Sequence, residues 1–522
     1  MKKALYLFIL LAAMQSLQAQ VPEDAIRMSW TTPRGTARAM AIGGAVGALG
    51  GDITSTFVNP AGLGFYKTGE FVLSPGFTMN SIKSGYFNTN EKGKKSAFDY
   101  GVTGFVYGHG KRYGRWTSNA ISLAINRTAN FNNSVYYKGT NPYSSFSEAF
   151  AEEFAQSGLP IDVRLYDAPL NMGTKLANYT YLIDTLSVDG RIEVVGLPQR
   201  DAILAGTQGV FNQEKRIDSK GGITEIALGF GTNMDDKVYL GFGLGLPILN
   251  YSRTSTLFEE DASGITDNNF NNATYVENQS VKGFGVNAKL GLIVKPANSL
   301  RLGLGIHTPT IYALQENNTG SITADLENYF PNGQQIRVAT TDSIYTANGV
   351  FIPTYKYDFV SPWKFILSAA YVLREVEDVT QQRGFITADV EYVTHGSSSF
   401  KPETGDIDQS YYSAVNETTK QLYKGTFNFR VGGELKFNTL MTRLGFAYYG
   451  NPYQDNSVLK ANRMNLSGGL GYRNKGFFAD LTYVHALNRD VNFPYRLGDK
   501  PNSFAELKES SGNIMMTVGI KF

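Results

Sequence analysis

Cysteine is absent from these 522 residues. That excludes a disulfide framework and a thiolate metal site, and it excludes a lipid anchored on a cysteine behind a leader. Histidine numbers only four, His109, His307, His395 and His485, far apart in the chain. They read as strand-end or lumen residues, so no metal and no other cofactor is expected. Charged residues make up 18% of the chain, low for a soluble protein, and the formal net charge is +2. Nucleic-acid binding needs a concentrated basic face, which this balance does not supply. Long apolar runs are also missing. Beyond the first residues nothing reaches the length a transmembrane helix requires. An enzyme is not expected either: His307 and His395 fall near strand ends, but no nucleophile is fixed beside either.

What is plentiful points elsewhere. Aromatics reach 13%, with 31 Tyr and 33 Phe, and Gly numbers 55. Aromatic residues suit strands and membrane interfaces, and glycine suits turns and crowded barrel interiors. Lys2 and Lys3 precede an apolar run from Ala4 to Met14, and Leu17-Gln18-Ala19 offers a small-residue cleavage site. This predicts a signal peptide over 1–19, with Gln20 as the mature N-terminus.

From residue 71 onward, segments about ten residues long alternate with period two. At 383–394, Ile386, Ala388, Val390 and Tyr392 share one face while Thr387, Asp389 and Glu391 share the other. At the C-terminus Ile514, Met516, Val518, Ile520 and the final Phe522 lie opposite Asn513, Thr517 and Lys521. Lipid outside and a polar lumen inside demand this pattern. It predicts an all-β transmembrane antiparallel barrel of about 14 strands over 71–522. The strands are placed near 71–80, 99–108, 117–127, 222–232, 237–249, 282–295, 299–308, 363–373, 383–394, 425–437, 440–449, 462–473, 476–486 and 512–522.

Short turns such as Asn474-Lys475 alternate with long loops near 81–98, 128–221, 250–281, 309–362, 395–424, 450–461 and 487–511. That rhythm is the periplasmic-turn, surface-loop asymmetry of an integral outer-membrane barrel in a Gram-negative cell. In the largest loop, 128–221, Ser145-Phe146-Ser147-Glu148 reads as a capping box. Phe146, Phe150 and Phe154 then recur at helical spacing, and Gly158 ends the run. The stripe either packs the loop onto the barrel rim or lines a surface groove for an apolar ligand. Inside the barrel, Arg301, Lys289 and Arg430 could pair a ligand carboxylate or balance Asp389, Glu391, Glu434 and Asp480. Inward glycines at 239–245 and 303–305 leave room for water, a plug or a ligand.

The first fifty residues of the mature chain are small-residue-rich: Gly35-Thr36-Ala37-Arg38-Ala39, then Gly43-Gly44-Ala45 and Gly47-Ala48. Phe57-Val58-Asn59-Pro60-Ala61-Gly62-Leu63 follows, where Asn59 can cap a short turn that Pro60 starts. This stretch resembles the N-terminal hatch of the long-chain fatty-acid transporter family, the FadL/TodX type, whose hatch carries an Asn-Pro-Ala motif. The resemblance implies a hatch over 20–70 that plugs the lumen, with Asn59, Pro60 and Ala61 as its gating motif. It implies passive uptake of hydrophobic small molecules such as fatty acids. They would pass through loop grooves and an apolar pocket, often sideways through a gap made by a kinked third strand. Here 117–127 is the candidate for that strand. The expected partners are a hydrophobic small molecule and outer-membrane lipid. A barrel of this shape could alternatively hold a protein partner on its long surface loops.

Overall fold

The alternating segments close into one antiparallel sheet of 14 strands. The computed structural model describes residues 22–522 apart from 112, 189, 331–332, 374–382, 404–408 and 456–460. The segment expected as a signal peptide, 1–19, lies outside the described residues, as does Gln20.

The wall strands are Glu70–Leu73 with Pro75–Tyr86 (β1), Thr89–Tyr100 with Thr103–Gly110 (β2), and Trp116–Asn130 with Asn133–Asn141 (β3). Next come Phe211–Met234 (β4), Val238–Asp261 (β5), Asn272–Ala297 (β6), Leu300–His307 with Ile311–Asp325 (β7), and Thr354–Val360 with Lys364–Leu373 (β8). The last are Gly384–Val393 with Ser399–Pro402 (β9), Thr426–Phe437 (β10), Leu440–Tyr449 (β11), Arg463–Asn474 (β12), Phe477–Asn492 (β13) and Ala505–Lys521 (β14). Each pairs with its sequence neighbour, and β1 meets β14 through Phe71↔Ile520 and Gly76↔Met515. Closure removes the sheet edges that would otherwise be unpaired in lipid.

Among the described residues no helix is long and apolar enough to cross a membrane. Phe98, Leu244, Phe284, Leu367, Leu444 and Leu470 all stand exposed on the outer face. Together with their neighbours they form an apolar belt. On the inner face of the sheet sit buried Asp389, Arg430, Glu434, Arg443 and Asp480.

Strand positions agree with the sequence, but the strands are longer. The pairing of β4 with β5 runs from Met234↔Val238 to Phe211↔Asp261, far beyond the apolar alternation at 222–249. Residues 81–98, expected as a loop, belong to the β1–β2 hairpin, whose turn is residues 87–88. The large insert accordingly spans 142–210 rather than 128–221. It holds the helices Ser147–Ser157, Met172–Tyr179 and Leu197–Leu204 and the hairpin Ile183–Val188/Arg191–Gly196.

Candidate functional site

Residues 36–64 bond and pack against the inward face of the strands. The helix Ala37–Ala41 begins at Thr36, whose hydroxyl accepts from Ala39 N–H. Ala37 N–H donates to Thr517 Oγ1 (2.7 Å), and Thr482 Oγ1 donates to Ala37 O (2.6 Å). Ser467 Oγ donates to Ala41 O (3.0 Å), and Gly47 N–H donates to Asp389 Oδ2 (3.2 Å). These bonds tie the segment to β14, β13, β12 and β9.

The inward glycines of the wall explain how it fits. A Cβ at Gly241 would come within 2.1 Å of Ala61 N and Pro60 C. At Gly432 it would meet Ile42 O at 2.4 Å, at Gly303 Gly47 O at 2.5 Å, and at Gly231 Gly64 N at 2.6 Å. The room left by these glycines is filled by backbone of the N-terminal segment. The missing side chain on each wall residue lets the two main chains approach closely.

Asn59 begins the 3-10 helix Pro60–Phe65. Its Oδ1 accepts from Ala61 N–H (3.2 Å), while Nδ2 donates to Gly47 O (2.6 Å) and Leu292 O (3.4 Å). Pro60 occupies the first helical position, where its missing N–H costs nothing. Ala61 is fully buried against Tyr239 and Ile293. The structure also places Arg301 here. Its Nη1 donates to Leu49 O (2.5 Å), and its guanidinium lies 4.6 Å from the Phe65 ring centroid. Arg301 therefore holds the segment.

Arg430 bonds Glu391 (3.2 Å) and Asp389 (3.4 Å), and Arg443 bonds Glu434 (2.6 Å) and Asp480 (2.5 Å). Arg38 reaches Glu434 at 3.3 Å, and Lys289 pairs with Glu225. The inward charges thus balance one another across the lumen.

A cavity of about 100 Å³ lies on the loop-facing side of Phe57 and Val58. Met28, Pro247, Tyr312 and Ile366 give it apolar walls; Glu225, Lys289, His307, Lys364 and Glu391 give it charge and hydrogen-bonding capacity. His307 Nε2 donates to Val58 O (2.8 Å), and Lys364 Nζ donates to Thr31 Oγ1 (2.7 Å). The resemblance implied an apolar pocket; this one is amphiphilic.

One side of the cavity is formed by Arg34, Asn126 and Thr128, where the wall changes course. The lower part of β2 pairs with β3 from Thr103↔Ile125 to Gly110↔Ser118. Above that, β3 slips register between Arg127 and Ala129 and breaks at 131–132. There Asn130 Oδ1 accepts from Asn132 N–H (3.0 Å) and turns the chain. The upper part of β3 pairs only with β4 among the described residues and lies across the inner face of β1 and β2. A Cβ at Gly93 would sit 2.1 Å from Ser134 O, and Ile82, Tyr86, Val135 and Tyr137 form one buried cluster. The upper edge of β2 is left without a ladder partner from β3. Asp99 marks the spot, accepting from the Arg34 guanidinium, Thr78 Oγ1 (2.8 Å) and Asn513 Nδ2 (3.0 Å).

The phenylalanine stripe lies elsewhere. Phe146 and Phe154 are fully buried, Phe150 packs beside them, and all three join Leu176, Phe211, Leu257, Phe270 and Ile322 in the core of the loop cap. Glu148 accepts from Ser145 N–H (2.8 Å), the back-bonding half of a capping box. Gly158 ends the helix at φ 66. Nearby, burial pulls the Lys175 ammonium down to about 8, and it donates to Tyr345 OH (2.8 Å). The stripe thus packs the core of the cap. What sequence reasoning missed is the cavity set Lys289, His307, Lys364 and Glu391. Each lies on a different strand, and only the register brings them together.

Among solved structures, the chain is similar to a FadL homologue of Pseudomonas aeruginosa, at 13% identity over 94% of this chain and 99% of that one, with a TM-score of 0.52. It is similar to the toluene transporter TodX of P. putida, at 13% identity over 94% and 99%, with a TM-score of 0.51. A deltaS2 mutant of TodX, described as a monoaromatic hydrocarbon channel, matches at 14% identity with a TM-score of 0.50. No family model matches the chain, and no curated protein does. The resemblance read from the sequence therefore holds at the level of the fold, which is that of the FadL-type barrels.

Proposed function

We propose that this protein is an outer-membrane transporter of a Gram-negative envelope, through which small hydrophobic molecules diffuse passively, with residues 20–70 acting as the hatch. The observation that carries the reading is the third strand. It turns inward beside an internal cavity and leaves the wall unzipped at the height where that cavity ends. A solute entering between the loops would rest against Tyr312, Phe57 and Val58 and leave sideways past Asn126 and Arg34. Burial of its apolar surface at roughly 25 cal/mol per Å² would drive capture. Diffusion down a gradient needs neither a cofactor nor catalysis.

Solved barrels of the same fold include a toluene transporter and a monoaromatic hydrocarbon channel, which supports a hydrophobic substrate class. The cavity of about 100 Å³ with its mixed lining favours a compact solute, or the polar end of a longer amphiphile such as a fatty acid. The test compares uptake of labelled toluene and labelled fatty acid by cells carrying wild type or Asn59→Ala/Pro60→Ala, at matched surface expression. A changed rate is expected, because the cap at Asn59 is worth about 1 kcal/mol. Wild-type cells that import neither solute faster than cells without the protein would refute transport. Unchanged import by the variant would refute the hatch.

The loops support a second role, docking of a protein partner. Ile192 and Phe351 are 78% and 95% exposed on them. A stoichiometric complex formed by wild type and lost in Phe351→Ser would establish it.

A further inference from the structure

Above the apolar belt the outer wall carries a row of like charges. Lys92 on β2 pairs with Lys83 on β1, Lys83 with Lys508 on β14, and Lys508 with Arg489 on β13. All four side chains are exposed. They stand on the same outward face as Phe77, Phe98, Ile514 and Tyr483, which belong to the belt. The row immediately below reads Lys94, Ser81, Ser510, Leu487 and Met464. Along β1, β2 and β14 the outer surface passes from apolar to hydroxyl to cationic within a few residues.

The height is informative. From Ile520, at the opposite end of β14, to Lys508 the strand climbs about 31 Å along the barrel axis, at about 3.4 Å per residue and a tilt near 40°. An outer-membrane belt is about 25 Å tall, so the four cations stand at headgroup level, on the side of the long loops.

Like charges directly opposite one another destabilise a sheet. No carboxylate forms an ion pair with any of the four among the described residues. Glu506, one row higher, is on the same face. Adjacent strands are spaced about 4.8 Å apart, so the four heads span about 14 Å. The net charge of the whole chain is only +2, and the concentration of cations here is local.

We propose that this row binds the phosphate headgroup of a lipid in the surrounding leaflet, the acyl chains lying on the belt below. This rests on the outer-membrane placement proposed above but not on transport. A phosphate accepts from several ammonium donors at once and relieves their mutual repulsion. The membrane fixes both its height and its concentration.

The experiment uses the full mature barrel in an uncharged detergent, with thermal unfolding followed by heat-modifiability on gels. Wild type and Lys83→Gln/Lys508→Gln are titrated with phosphatidylglycerol, phosphatidylcholine or inorganic phosphate. Without lipid the variant should unfold at the same temperature as wild type or above it, since two repelling charges are gone. Phosphatidylglycerol should stabilise wild type, with an affinity about thirtyfold weaker in the variant and falling with salt in wild type. Equal stabilisation of both proteins, or equal stabilisation by phosphatidylcholine, would overturn the proposal. Stabilisation by inorganic phosphate at the same concentration would overturn the lipid as the source. Uptake by whole cells reports separately on transport.

Discussion

Placing a methyl group at Gly241 should open the barrel without unfolding it. The Cβ of Gly241→Ala would lie 2.1 Å from Ala61 N and Pro60 C, where ordinary contact begins near 3.4 Å. The Asn59-Pro60-Ala61 turn must retreat by about 1.3 Å, or the strand must bow outward. The strand is held on both sides, by Gly231 and Gly291, whereas the turn hangs on Asn59, so the turn should yield. Overpacking of this kind costs about 1–3 kcal/mol. Set against the N-terminal segment alone, about 2 kcal/mol raises the displaced fraction up to about thirtyfold. The wall ladder loses no hydrogen bond, and alanine in a strand costs less chain entropy than glycine. Gly468→Ala is the control. It faces outward, and its nearest side-chain neighbour is Leu444 Cδ2 at 3.4 Å. Single-channel conductance in planar bilayers, or sugar-driven swelling of liposomes, reads the leak, and heat-modifiability on gels reads the barrel. If Gly241→Ala is folded and leaks no more than Gly468→Ala, the glycine belt does not seat the segment as described.

Arg443→Met should destabilise the barrel by about 3–5 kcal/mol, because Glu434 and Asp480 lose the cation they share in a buried site; the midpoint of urea unfolding measures it. Phe154→Ala should cost the loop cap about 3–5 kcal/mol, seen as faster proteolysis within 142–210 while heat-modifiability of the barrel stays unchanged. The Glu152 carboxyl is pushed up to about 7 by burial and its hydrogen bond with the Asp499 side chain, from an ordinary 4.5. The folded loop then holds a proton that the unfolded one has lost, so the stabilisation is complete below about 4.5 and declines as pH rises through about 7. Protease cleavage near 498–499 should therefore be faster at high pH than at low, and Glu152→Gln should flatten the profile.

The sequence showed the barrel where lipid forced it to. At 383–394 and 512–522 the outer face must be apolar and the inner face polar, and period two stands out. Above the belt both faces meet water or loop. A run such as Arg253-Thr254-Ser255-Thr256 has no alternation, yet its ladder continues to Glu260↔Asn272. The alternation therefore marks strands shorter, and loops longer, than the ladder makes them. The Asn59 cap was legible because its chemistry is local. The break in β3 and the cavity were not. Lys289, Lys364 and Glu391 meet only through the β6–β7–β8–β9 register, which no local pattern encodes.

The way the N-terminal segment is held bears on how it could open. Residues 36–47 are bonded to β9, β12, β13 and β14 through Ala37, Ala41, Gly43 and Gly47, and Arg38 is ion-paired to Glu434 on β10. Residues 57–61 bond the wall twice among the described residues: His307 to Val58 O, and Asn59 to Leu292 O at a long 3.4 Å. At a net 0.5–1.5 kcal/mol each, such bonds contribute about 1–3 kcal/mol here, and several-fold more where the segment meets β9 to β14. Expulsion of the whole segment would break both sets. Local displacement of 57–61 breaks only the weaker one, and Phe57 and Val58 line the cavity together with Met28, Ser29 and residues 31–34. Residues 57–61 thus touch a bound solute and are less fastened to the wall than 36–47. A gate at this position would respond to occupancy while 36–47 kept the lumen closed to water-soluble molecules.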